Sequence, residues 1–66
     1  MSVMKVIEVM ANSTESWEDA TKKAVKHAGK SLKHIKSAYV QSQSVVVKDN
    51  EVSEFRVNVK ITFEVK

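Results

Sequence analysis

Residues 51 to 65, EVSEFRVNVKITFEV, alternate between two kinds of side chain. Phe55, Val57, Val59, Ile61 and Phe63 project one way, while Glu54, Arg56, Asn58, Lys60 and Thr62 project the other. This is the period-two pattern of a strand with one buried face. A strand from 52 to 65 spans roughly 46 Å at about 3.3 Å per residue. The only segment with helical periodicity holds about 15 residues and reaches roughly 22 Å. One such helix cannot cover such a strand, so apolar strand surface is left over, and further copies of the chain are the expected cover.

The size of the chain makes that surplus serious. Sixty-six residues allow a single domain, 1–66, and a chain this short buries only about 60 per cent of the surface its unfolded state exposes. Small folds recover stability through disulfides, metals or assembly. There is no cysteine for the first and no compact His, Cys and carboxylate cluster for the second, which leaves assembly. No run of about 18 apolar residues is present, and MSVMKVIEVMAN lacks a basic segment followed by an unbroken apolar one. Neither a membrane span nor a signal peptide is expected, and a cysteine-free chain fits a cytoplasmic location.

Ahead of the ladder, Val3 to Val9 reads as a first strand. Ala11, Asn12 and Ser13 break its pattern, and Ser13 with Ser16 predicts a helix cap at about 13. From Thr14 to Ala28, Trp17, Ala20, Thr21, Ala24, Val25 and Ala28 form one stripe of a helix. The three alanines keep it shallow, so the axis can lie close to a sheet, with Trp17 as the one large plug. Glu15, Glu18 and Asp19 precede Lys22, Lys23, Lys26 and His27, an order that suits the helix dipole by about 0.3–1 kcal/mol per charge. Gly29, the only glycine, is expected to end the helix in a left-handed conformation. Leu32 and Ile35 anchor the next connection, Lys36 to Lys48 has a strand composition, and Asp49-Asn50 reads as a tight turn. The prediction is an α+β fold of β-α-β-β order, a three-stranded antiparallel sheet packed on one helix.

That order, with VMKVIEVMANSTESWEDATKKAVKHA at the front, KHIKSAYV in the middle and EFRVNVKITFEV at the end, resembles the dodecin family over essentially the whole chain. The most specific parts are KVIEV running into a small-residue turn, the Ser-led start before SWEDA, and the terminal V-x-V-x-I-x-F-E-V ladder. The resemblance implies a sheet that partly wraps its helix and twelve copies closed into a hollow homododecamer of cubic 23 symmetry. It also implies flavin (FMN or riboflavin) bound between subunits by a stacking Trp and a Gln, in a storage or buffering protein rather than an enzyme. Both residues are replaced here: aligning KHIKSAYV puts Ser37 in the place of the Trp, and aligning EFRVNVKITFEV puts Arg56 in the place of the Gln. Ser37 has no ring face, so an aromatic stacking contribution of about 0.5–1.5 kcal/mol is lost. A guanidinium can hydrogen-bond a flavin carbonyl, stack on a ring or bind phosphate. Tyr39, two residues after Ser37, can replace part of the aromatic surface. Ser37, Tyr39 and Arg56 are therefore the candidate flavin-binding residues of a modified, weakened site. The plainer alternative packs Tyr39 in an interface and pairs Arg56 with a carboxylate such as Glu54 or Glu64. Trp17 is read as core.

Other chemistries find less support. His27 and His34 have no cysteine or acid at zinc-ligand spacing. Calcium is a minor alternative, because Asp19, Asp49, Glu51 and Glu54 are hard oxygen donors that symmetry can gather, in a flavin-free shell or scaffold. No nucleophile elbow or glycine-rich phosphate loop points to an enzyme. The net charge of +3 is uneven: residues 20 to 48 hold seven Lys and no carboxylate. Lys22, Lys23, Lys26, Lys30, Lys33 and Lys36 raise nucleic-acid binding as a rival, but they lack interleaved aromatics, so only salt-sensitive, non-specific attraction would follow. In an assembled sphere they would instead surround openings and admit a small planar or anionic ligand such as flavin mononucleotide or coenzyme A.

Overall fold

The computed structural model describes residues 2–65. Its elements are β1 (Val3–Ser13), α1 (Trp17–Ala28), β2 (Ile35–Lys48) and β3 (Glu51–Val65). The ladder at the end of the chain is the central strand: the sheet order is β1-β3-β2, and both pairings are antiparallel. This is the expected β-α-β-β arrangement with one helix on a three-stranded sheet. The alternation decides which residues become core. Val57, Val59 and Ile61 are completely buried, each contributing about 1.5–3 kcal/mol by leaving water. They meet Ala20, Ala24 and Ala28, the small residues that let the helix approach, and Ile7, Val9, Ala11, Leu32, Ile35 and Val40 pack around them. Trp17 is half-buried at the edge of this cluster. Its ring meets Phe55 edge to face at 5.1 Å, and its Nε1–H donates to the Ser44 carbonyl at 3.0 Å.

Three boundaries differ from the sequence expectation. β1 runs on to Ser13, because Ala11 and Ser13 continue the register opposite Val57 and Phe55. The helix cap is accordingly Ser16 rather than Ser13: its hydroxyl accepts the Asp19 amide at 3.0 Å. Ser13 is buried and braces the approach, with its Oγ accepting the amides of Glu15 at 2.9 Å and Ser16 at 3.4 Å and donating to Asp19 Oδ2 at 2.6 Å. Gly29 is not left-handed. Its φ is −64°, and the chain leaves the helix through tight bonds from Lys30 to the His27 carbonyl and from Ser31 and Leu32 to the Ala28 carbonyl. The left-handed residue is His34, at φ 63°, where the chain turns into β2. The Asp49-Asn50 turn is where it was expected, and both residues have positive φ, 54° and 63°, as a two-residue hairpin with right-handed strand twist requires.

Candidate functional site

The even-numbered residues of β3 define the sheet face turned away from α1, and the register turns that face into a grid. Arg56 stands between Asn12 and Ser44, Asn58 between Met10 and Ser42, Lys60 between Glu8 and Tyr39, and Thr62 between Val6 and Ser37. A register shift between Val40 and Ser42 sets Gln41 aside, and for that reason Ser42 and Ser44 share this face with Tyr39. Two hydrogen-bond sets stiffen the grid. Asn58 Nδ2 donates to Ser42 Oγ at 3.0 Å. Asn12 bridges two charges, its Oδ1 accepting from Arg56 Nε at 3.1 Å and its Nδ2 donating to Glu54 Oε1 at 3.2 Å.

All three candidate residues therefore lie on one face, but one copy of the chain does not bring them together. Ser37 and Tyr39 are neighbours on β2, and Tyr39 is 66% exposed, a ring standing in the open. Arg56 is six residues along β3 from Thr62, the partner of Ser37, a separation of roughly 20 Å. It is four residues from Lys60, the partner of Tyr39, roughly 13 Å away. Its carboxylate relation is indirect, through Asn12 to Glu54. Glu64 instead holds Lys36 at 3.7 Å. Asn12 is the residue that sequence reasoning passed over: its partners lie 42 and 44 positions away, and no local pattern marks it.

Ser13, Asp19 and Lys23 form the other polar constellation. Asp19 carries an ion pair to Lys23 at 3.0 Å. The Ser13 hydroxyl and then the Lys23 ammonium hold the Asp19 carboxyl below its ordinary value, and Asp19 in turn raises Lys23. A serine beside an acid and a lysine suggests a nucleophile, but the Ser13 side chain is almost wholly buried. Its proton is committed to the carboxylate and its lone pairs to two amides, so the cluster secures the helix entry. The acids considered for calcium are dispersed: Asp19 at this cap, Glu54 on Asn12, Asp49 and Glu51 at the hairpin turn. Among the described residues no three His, Cys, Asp or Glu side chains gather at metal-binding distance, and no helix among them is long and apolar enough to cross a membrane.

A sheet packed on one side by a helix of small residues, and offering on the other a face of polar side chains interspersed with the exposed Val6, Met10 and Tyr39, defines a small β-α-β-β module of the α+β class. The chain belongs to the dodecin family, whose family model, Dodecin, matches residues 3–66. It is 33% identical over 66 residues to the calcium dodecin of Mycobacterium tuberculosis, covering 100% of this chain and 93% of that one. The crystal structure of that calcium-chelating dodecin, described with a novel calcium-binding site, aligns with a TM-score of 0.86 at 32% identity over 98% of this chain and 93% of its own. A point mutant of the T. thermophilus dodecin aligns with a TM-score of 0.93 at 26% identity, over 100% and 98% of the two chains. The dodecin of Streptomyces coelicolor shares the fold at 23% identity, with a TM-score of 0.94 over 98% and 93%.

Proposed function

We propose that this chain is a cytoplasmic, non-enzymatic dodecin that closes into a homododecamer and sequesters a small planar ligand of the flavin class at sites built between copies on the open sheet face. The observation that carries this reading is Tyr39: a ring 66% exposed on the same face as Ser37 and Arg56. A Tyr face offers stacking surface, and Arg56, oriented by Asn12, offers N–H donors to a carbonyl or phosphate arriving from a second copy. The Ser at position 37 removes the larger platform, so the expected affinity for FMN or riboflavin is weak. Titrating FMN into the purified assembly and following flavin fluorescence tests it. Quenching that saturates and is lost in Tyr39→Ala is the expected result; no quenching at micromolar protein ends the flavin reading.

A second reading is favoured by the 33% identity to a protein named for calcium. A flavin-free shell holding calcium would draw carboxylates from several copies, since the described residues of one copy gather no three of them. Calorimetry with calcium at matched ionic strength separates the two. Nucleic-acid binding is the third reading and is disfavoured by the absence of aromatics among the lysines; a gel shift at low salt decides it.

A further inference from the structure

The hairpin formed by β2 and β3 is longer than the rest of the sheet. β1 ends with Ser13 opposite Phe55, so residues 46–54 project beyond it as a two-stranded arm. At its end Val47 and Val52 are register partners, and they stand 58% and 54% exposed, an apolar pair in water. The turn beyond them carries the carboxylates of Asp49 and Glu51, with Lys48 beside them. Elsewhere the chain offers the matching shape. Between α1 and the edge strand β1 lies an apolar groove of about 380 Å³, walled by Ile7, Val9, Ala11, Ala24, Ala28 and Leu32. Lys23, Lys26, His27 and Lys30 line an adjoining hollow. Asp19 occupies Lys23, and Lys26 and Lys30 remain as the cations of that rim.

We infer that the hairpin tip of one copy seats Val47 and Val52 in the β1–α1 groove of a second copy, with Asp49 and Glu51 against Lys26 and Lys30. The occupant is another copy rather than the chain's own arm. The tip lies about seven residues beyond Val57, which faces Ala11 in the groove wall, and a stiff strand carries it roughly 23 Å away. A hairpin with roughly 5 Å between its strands presents its cross-strand valine pair as a wedge, and acids on the wedge meet bases on the rim, so charge fixes the direction of insertion. Each copy gives one tip and accepts one. Such a heterologous contact closes into rings when the rotation allows, as the threefold axes of a twelve-copy shell would. This inference deepens the assembly reading and rests on it.

Sedimentation velocity and circular dichroism on the full chain test it. Val47→Asp with Val52→Asp is expected to yield smaller species at concentrations where the unmodified chain is assembled, raising the concentration for half-assembly at least tenfold. Reversing the tip charge while keeping a residue suited to the positive-φ turn (Asp49→Asn, Glu51→Lys), or reversing the rim bases (Lys26→Glu, Lys30→Glu), is expected to weaken assembly separately and to restore most of it when combined. The combined variant also decides the matter should the valine variant lose its folded spectrum. Undiminished assembly of a folded valine variant, or no recovery in the combined variant, would overturn the tip-to-groove contact, with assembly itself standing. An unmodified chain that sediments as a monomer would instead remove the assembly reading.

Discussion

At position 37 the chain presents a hydroxyl where the family resemblance leads one to expect an indole, and the neighbour on the same face is the exposed ring of Tyr39. If flavin binds on this face, Ser37→Trp restores about 0.5–1.5 kcal/mol of stacking. FMN is then expected to bind about two- to twelve-fold more tightly in a fluorescence titration, with unchanged affinity placing the ligand elsewhere. That Ser37 and Tyr39 share a face was readable in the sequence, because a strand fixes the face of every second residue. The support given to Arg56 was not, since Asn12 reaches it only once two strands distant in sequence are paired. Gly29 marks the opposite error. A lone glycine after a helix suggests a left-handed cap, yet its φ of −64° is open to any residue, and an added Cβ would meet carbonyl oxygens no closer than 3.4 Å. Gly29→Ala is therefore expected to stabilise the fold by about 0.4–1 kcal/mol, by restricting the unfolded chain. A lower denaturation midpoint would show that the position needs glycine after all.

At the scale of elements, periodicity made the sheet and helix legible, and the boundaries were set by contacts it does not encode. Ser13 and Ser16 both have the chemistry of a cap. The choice falls on Ser16 because pairing with Phe55 keeps Ser13 in β1. Ser16→Ala should cost about 0.5–2 kcal/mol, measured by chemical denaturation; a neutral result would mean that the brace from Ser13 suffices. The Asp19 carboxyl lies below its ordinary value of 3.8, chiefly through the Ser13 hydroxyl and then through Lys23. A carboxyl depressed in the folded state stabilises the protein above its unfolded value and loses that contribution as pH falls through its folded one. Thermal midpoints should therefore decline below pH 3.8, and Asp19→Asn should flatten part of that decline. An identical acid profile in the variant would assign the titration to other carboxylates.

The shape of the whole molecule follows from the mismatch between its hairpin and its helix. The chain extends 51 × 19 × 14 Å with a radius of gyration of 13.5 Å, against about 10.8 Å for a compact chain of this length. Its accessible surface is 4968 Å², where a monomer of this mass has about 4200 Å². Large apolar residues share in that exposure: Val3, Val6 and Met10 on β1 and Val47 and Val52 on the arm all stand more than half exposed. The expectation of further copies came from one strand's length. Which surfaces meet could not be read there, because a contact between copies imposes no period on the sequence that makes it. Coupling between folding and association gives the last expectation its form. If partner copies bind the folded chain alone, they stabilise it by mass action, and the thermal midpoint becomes dependent on concentration. Dilution over two to three decades should lower the midpoint, and the midpoint of the Val47→Asp and Val52→Asp variant should lie below that of the unmodified chain at equal concentration. A midpoint that ignores dilution, together with a single-chain sedimentation coefficient, would mean that three alanines under one strand hold this fold without help.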